Sequence, residues 1–174
     1  MVEEQVILVD KHNNQIGLMS KLQAHQIGLL HRAFSIFIFN KKNELMLQQR
    51  SSKKYHSPLL WSNTCCSHQR VGESNIQAGK RRLKEEMGFS TDLEEIFSFV
   101  YKVSFDNGLS EHELDHVLIG YWESSPKINI SEVEGWKWMS LADIKRDINL
   151  RPHIYTAWFK IIFDKFYKHL KLNT

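Results

Sequence analysis

A short segment in the middle of the chain gathers a thiol, an imidazole and a run of paired arginines and glutamates. It starts with Asn-Thr-Cys-Cys-Ser-His at 63–68, continues with Gly-Glu-Ser at 72–74, and ends with Arg-Arg-Leu-Lys-Glu-Glu-Met-Gly at 81–88. Thiols and imidazoles bind metals and carry protons, while the arginine fork matches phosphate oxygens. The segment therefore predicts a site that handles a phosphate group and a metal ion.

Two other parts of the chain carry further ligands for such a metal. Glu111 and Glu113 follow a turn-forming Asp-Asn-Gly, and residues two apart on a strand point to the same face. His25 and His31 lie ahead of an apolar, strand-like run. Together with His68, they offer three imidazoles and two carboxylates to one ion.

Length, charge and cysteine content favour one domain, residues 1–174, in a reducing compartment. The chain has a net charge of +3, and its two cysteines are adjacent, so they are poorly placed to form a disulfide. It has no dense Lys/Arg block and no apolar run of the roughly 18 residues that a membrane helix needs. We expect a cytoplasmic monomer or weak homodimer that binds a small anion but neither nucleic acid nor membranes.

The hydrophobic pattern predicts strands, a helix, further strands and two final helices, an order that favours an α+β fold with a mixed β-sheet flanked by helices. Two hairpins are predicted first and three strands follow: 6–9 with 15–18, 34–39 with 45–49, then 96–105, 114–123 and 135–139. Helices are predicted at 74–87, from Ser140, and at 152–170.

The central helix has clear start and stop signals. Ser74 and Gln77 form a capping box, and a glycine follows the last predicted turn. Arg82 and Glu86 stand four apart and therefore lie together on one helical face. The helix can present a cation and a carboxylate side by side.

The same helix resembles the signature of the Nudix family, whose fold binds diphosphates through metal ions. The pattern is Gly-x5-Glu-x7-Arg-Glu-x-x-Glu-Glu-x-Gly, and five of its positions match: Glu73, Arg81, Glu85, Glu86 and Gly88. Ser67 replaces the first glycine, and Arg82 replaces a glutamate that Nudix hydrolases use for water attack. The second exchange argues against diphosphate hydrolysis, and an arginine at that position can clamp a phosphate instead.

Over residues 6–158 the chain further resembles the type 1 isopentenyl-diphosphate isomerases, Nudix-fold enzymes of isoprenoid synthesis. The motifs that carry this resemblance are Cys-Ser-His at 66–68, the Ala-Phe-Ser triplet at 33–35, the two upstream histidines and the Glu-x-Glu pair. The chain departs from the family pattern at Ser67, where glycine is usual, and in a His25–His31 spacing that is one residue shorter. Both departures lie near the implied metal.

The resemblance implies two metal sites. One Mn²⁺ or Zn²⁺ would be held by nitrogen and oxygen donors, two of them from the N-terminal segment 1–31: His25, His31, His68, Glu111 and Glu113. One Mg²⁺ would bridge the diphosphate of the substrate to Glu86 and to the backbone carbonyl of Cys66, because hard oxygen ligands suit it.

The resemblance also implies how the reaction proceeds. Cys66 and Glu113 would exchange protons on opposite faces of the alkene through a tertiary carbocation, with help from the hydroxyl of Tyr101. The sequence leaves open which of the two is the acid, and Cys65 is expected to be a buried apolar thiol. Substrate would be bound by basic residues for the diphosphate and by further pocket residues, of which the two tryptophans would face the cation: Lys21, Arg50, Lys54, Arg82, Ser35, Trp61 and Trp158.

Two other functions stay open from the sequence. A Nudix diphosphate hydrolase is disfavoured by Arg82. A non-catalytic regulator that binds metal or phosphate would explain the histidines and arginines but would leave Cys66 and the glutamate pair without a role.

Overall fold

A nine-stranded sheet and four α-helices form the described part of the chain, residues 4–54 and 56–172 of a computed structural model. The strands are β1 Gln5–Val9, β2 Gln15–Ser20, β3 His31–Phe39, β4 Glu44–Arg50, β5 Trp61–Ser62, β6 Cys65–Ser67, β7 Leu93–Ser104, β8 Ser110–Tyr121 and β9 Val133–Ser140. The helices are α1 Lys21–Ile27, α2 Asn75–Met87, α3 Leu141–Leu150 and α4 Ala157–Leu172, with a 3-10 turn at Pro152–Ile154. The predicted α+β fold with a mixed sheet is confirmed.

Strand β3 organises the sheet because it pairs with neighbours on both edges. It runs parallel to β8, which sets His31 opposite Glu113. On its other edge it pairs antiparallel with the short β6, which sets Ser35 opposite Cys66. Strand β8 in turn pairs with β7, where Tyr101 faces Glu113. The register alone therefore brings a histidine, a cysteine, a tyrosine and a glutamate to one region of the sheet.

Of the two predicted hairpins, the first is confirmed and the second is wrong in its pairing. Strands β1 and β2 pair along their whole length. Strands β3 and β4 exist as predicted, but they meet only at Phe39 and Leu45. Because β6 and β8 occupy the edges of β3, strand β4 pairs with β9 instead, from Glu44 opposite Ser140 to Arg50 opposite Val133.

Helix α2 has the predicted ends. The Ser74 hydroxyl accepts a hydrogen bond from the backbone N–H of Gln77, whose side chain accepts one from the N–H of Ser74. Gly88 ends the helix at φ 76°, where a Cβ would also lie 2.2 Å from the carbonyl oxygen of Lys127. Both ends of α2 are thus fixed by local chemistry.

Two other helices differ from the prediction. The last helix begins at Ala157 rather than at residue 152, because a 3-10 turn and a short extended stretch intervene. Helix α1 was not predicted, although the Ser20 hydroxyl caps it by accepting from the N–H of Gln23. Its seven residues are too few for a visible hydrophobic period.

The sheet is buried between α2 and α4. Alternate residues of β3 point to opposite faces: Phe37 packs with Phe166 of α4, and Ile36 packs with Leu83 of α2. Such double-sided burial explains the nearly continuous apolar run of β3. Within the described residues, no helix combines the length and apolar character needed to span a membrane.

Candidate active site

Three histidines and one glutamate meet where β3 begins. His25 lies on α1, His31 opens β3, His68 follows β6, and Glu113 lies on β8. The ring centres are 4.9 Å apart for His25 and His31, 5.1 Å for His31 and His68, and 5.7 Å for His25 and His68. One ligand atom from each of the four residues lies within 4.8 Å of the others, and all four are buried. We call these four residues the histidine group, and their spacing suits one metal ion.

Backbone carbonyls fix the orientation of two of these rings. The Nδ1–H of His25 donates to the carbonyl of Lys21 at 2.6 Å, and that of His31 donates to the carbonyl of Leu29 at 2.8 Å. Each ring therefore keeps its Nε2 as a lone-pair donor, the arrangement found in metal-ligating histidines. The Nε2 of His31 is buried, and within the described structure it has no hydrogen-bond partner.

Glu113 stands at the centre of the group. Its Oε1 lies 3.1 Å from the Nε2 of His68 and 3.5 Å from the Nε2 of His31. Burial by itself would raise the pKa of Glu113, but the close contacts and charges of His31 and His68 outweigh it and hold the pKa well below its usual range. Burial lowers the pKa of His68 to about 4. The lowered pKa values of Glu113 and His68 favour the deprotonated forms that metal ligation requires.

Tyr101 links Glu113 to the second glutamate of β8. Its hydroxyl lies 2.6 Å from Oε2 of Glu113 and 3.2 Å from Oε2 of Glu111. Burial and the adjacent charge of Glu113 raise the pKa of Glu111 well above its usual range. Glu111, the fifth predicted ligand, is therefore close to the histidine group without being one of its four members.

The two cysteines have different surroundings. Cys65 is fully buried and packs in the apolar cluster under α2. Cys66 is half-buried, and it lines the same cavity as Tyr101 and Glu113. Burial raises the pKa of the Cys66 thiol to about 12. Only Cys66 of the pair is therefore placed to meet a ligand in this cavity.

The cavity collects most of the residues predicted from the sequence. Twelve of them line it: Lys21, His25, Arg50, Lys54, Cys66, His68, Arg82, Glu86, Tyr101, Glu111, Glu113 and Trp158. Three do not. His31 belongs to the histidine group without lining the cavity, Ser35 pairs with Cys66 in the sheet, and the Trp61 ring lies 4.1 Å from the Nζ of Lys137.

Helix α2 and the segment before β9 place a set of paired charges beside the cavity. The Arg82 guanidinium donates to Oε1 of Glu86 at 2.5 Å and to Oε2 of Glu85 at 2.7 Å, and it reaches Oε2 of Glu132 at 3.4 Å. Lys54 forms a second ion pair with Glu132. We call Lys54, Arg82, Glu86 and Glu132 the charged group, and in the described structure each of its members has an oppositely charged partner.

Three further residues line the cavity that sequence reasoning missed: Gln48, His56 and Glu132. The sequence does carry a signal for Gln48, because residues two apart on β4 share a face and Arg50 is a predicted substrate ligand. The amide of Gln48 donates to Oε2 of Glu86 at 3.0 Å. His56 and Glu132 lie in loops, and no local spacing marks them.

A family profile and several relatives of known name point to the same protein family. The NUDIX domain profile matches residues 29–159. The Aromatoleum aromaticum protein named isopentenyl-diphosphate Delta-isomerase 2 is 48% identical over 172 residues, which cover 99% of this chain and 91% of the relative. The Photorhabdus laumondii protein of the same name is 49% identical, with coverages of 94% and 92%. The Serratia proteamaculans isopentenyl-diphosphate Delta-isomerase is 45% identical, with coverages of 92% and 90%.

Solved structures share the fold at low sequence identity. A Deinococcus radiodurans protein superposes with a TM-score of 0.78 at 15% identity, covering 93% of this chain and 98% of the other. The MutT protein of Methanosarcina mazei gives a TM-score of 0.66 at 20% identity, with coverages of 82% and 96%. At such identities the likeness concerns the fold alone.

Proposed function

Because this chain belongs to the NUDIX family and, within it, to the isopentenyl-diphosphate Delta-isomerases, we propose that its reaction takes place in the cavity between Cys66 and Glu113. That reaction interconverts isopentenyl and dimethylallyl diphosphates. The observation that carries the proposal is the meeting of the histidine group, the charged group and a thiol around one cavity. A hydrolase would need a glutamate where Arg82 stands.

The histidine group is the proposed site of a tightly held divalent ion. Its nitrogen and carboxylate donors suit Zn²⁺ or Mn²⁺, and among the described residues the buried Nε2 of His31 makes no hydrogen bond, only the 3.5 Å contact with Glu113. When bound, such an ion would supply positive charge that holds Glu113 in place and lowers its basicity. Glu111, two residues before Glu113 on the same face of β8, is the proposed fifth ligand.

The charged group and its neighbours form the proposed diphosphate site. Glu86 would exchange Arg82 for the Mg²⁺ that accompanies the substrate, and the carbonyl of Cys66 would be a second ligand. Arg82 would then donate to phosphate oxygens, together with Lys54 and Lys21. Because Gln48 donates to the other oxygen of Glu86, the carboxylate would keep its orientation during the exchange.

Proton transfer is assigned to Cys66 and Glu113, which lie on different strands that face the same cavity. One group would protonate the terminal alkene carbon, which leaves a cation at the tertiary carbon, and the other would remove a proton from the neighbouring methylene. Tyr101, 2.6 Å from Oε2 of Glu113, would relay protons on that side. Trp158 would face the cation with the electron-rich surface of its indole.

One assay tests this function. Pure protein is incubated with isopentenyl diphosphate and Mg²⁺, and dimethylallyl diphosphate is resolved from inorganic phosphate by chromatography. We expect the allylic isomer without phosphate release. Release of phosphate would identify a hydrolase, and binding without any product would identify a regulator, so either result would overturn the proposal.

A further inference from the structure

Two aromatic rings from distant loops stack at one side of the cavity. His56 lies between β4 and β5, and Phe105 lies between β7 and β8. Their ring centres are 5.3 Å apart and their planes are inclined by 29°. Both rings meet the indole of Trp158 edge-on, at 5.6 Å from His56 and 6.4 Å from Phe105. The three rings join two loops and helix α4 in one aromatic contact.

Each loop is held by its own hydrogen bonds, so the stack has a defined position. Arg50 donates to the carbonyls of His56 at 3.1 Å and Ser57 at 3.2 Å, and its guanidinium lies 4.9 Å from the ring centre of Trp158. The N–H of Phe105 donates to the carbonyl of Leu109 at 2.8 Å, which closes the other turn. A proposed diphosphate ligand, Arg50, thus also anchors the loop that carries His56.

His56 lines the cavity together with Cys66, Tyr101 and Trp158, while Phe105 packs against His56 without lining it. Phe105 leads directly into the exposed turn at 106–108, so the stack connects the lining of the cavity to that turn. A tertiary carbocation reacts with any water that reaches it, so the enzyme needs a barrier on this side.

We propose that His56 and Phe105 form the wall that keeps water away from the cationic carbon, an inference that rests on the isomerase function proposed above. The ring of His56 is suited to this place because burial, followed by the nearby charge of Arg50, lowers its pKa to about 3, and a neutral ring does not repel a cation. Without the wall, a water oxygen would bond to the tertiary carbon and lose a proton. The product would be the tertiary alcohol diphosphate, the sum of alkene and water.

The test measures that alcohol. Wild type, His56→Ala, Phe105→Ala and His56→Phe are incubated with isopentenyl diphosphate in ¹⁸O-labelled water, and the ratio of labelled alcohol diphosphate to dimethylallyl diphosphate is read by mass spectrometry. We expect the ratio to rise about threefold to tenfold in both alanine variants, the range for losing one aromatic contact, and to stay near wild type in His56→Phe. Because the two rings act through one contact, the ratio in the double alanine variant should not exceed the higher of the two single-variant ratios.

The matched control is His153→Ala, since His153 is an exposed histidine on the 3-10 turn. Thermal unfolding reports whether each variant is folded, and His56→Gln replaces His56→Ala should the latter not fold. The proposed water barrier would be wrong if the alcohol ratio stayed unchanged in the folded variants that lack a ring, or if it rose equally in His153→Ala. Either result would leave the isomerase function intact. A wild-type protein that forms no dimethylallyl diphosphate would overturn both.

Discussion

The histidine group and the charged group flank the same cavity but stand in opposite states. In the histidine group, two imidazoles crowd one oxygen of Glu113, and the buried Nε2 of His31 has no hydrogen-bond partner in the described part of the chain. In the charged group, every member is already paired. A buried polar atom without a hydrogen bond costs free energy, whereas the charges of the second group already have hydrogen-bonded partners. Under the proposed function, the first group would gain stability by adding a cation, and the second would bind substrate by exchanging partners.

The largest effect should come from a change that spares both groups. Cys66→Ala is expected to lower turnover by about 10²–10⁴-fold, the usual contribution of one proton carrier, with metal content and diphosphate binding nearly unchanged. Steady-state kinetics, elemental analysis and calorimetric titration measure the three quantities. Cys65→Ala is the matched control, and it should cost only about 1 kcal/mol of stability. Wild-type turnover in Cys66→Ala would remove this cysteine from the mechanism.

The next test removes a member of the histidine group. His68→Asn should weaken metal binding by at least about 10–100-fold and reduce activity in parallel, because a ligand is lost while the fold keeps its core. Elemental analysis of protein purified without chelator measures the metal, and His12→Asn, an exposed position, is the control. Full activity in metal-free protein would show that the histidine group is structural.

A third test addresses exchange in the charged group. Arg82→Ala should reduce kcat/KM by an amount worth about 1.5–3 kcal/mol, because a charge-assisted hydrogen bond to the diphosphate is lost. Glu86→Gln should instead raise the Mg²⁺ concentration needed for half-maximal rate. The control is Arg146→Ala, which removes an exposed ion pair with Asp143 on α3. Unchanged substrate and Mg²⁺ dependence in both variants would place the diphosphate elsewhere.

The smallest effect concerns a histidine that lines the cavity but belongs to neither group. The pKa of His56 is lowered to about 3 from an ordinary 6.5, so below pH 6.5 the unfolded chain binds a proton that the folded chain does not. Stability therefore falls as the pH drops, by about 0.7 kcal/mol between pH 7 and pH 6 for this residue. Denaturant unfolding of wild type and His56→Phe at the two values measures it. An equal pH dependence in both proteins would contradict the shift.

Local signals were enough to predict part of this molecule. The capping box and the terminal glycine fixed helix α2, and with it the neighbouring positions of Arg82 and Glu86. The two-residue spacing of Glu111 and Glu113 places both carboxylates on one face of β8, whatever residues they contact. In each case the geometry follows from residues close in sequence.

The rest depends on contacts between distant segments. Strand β4 pairs with β9 because β3 has no free edge for it, and this competition leaves no trace in the sequence of either strand. Glu132 reaches Lys54 and Arg82 from the segment before β9, and the stack of His56 on Phe105 joins two loops. Such residues become visible only when the chain is folded.

The parallel pairing of β3 with β8 has a consequence for the order of folding. It aligns His31 with Glu113 across a long stretch of chain that includes the whole of α2. Contacts of such high sequence separation form slowly, because closing a long loop loses conformational entropy before the contact contributes any stabilising free energy. The histidine group therefore cannot assemble from its own neighbourhood. Metal uptake during refolding should report the completion of the central sheet, after the first hairpin and helix α2 have formed.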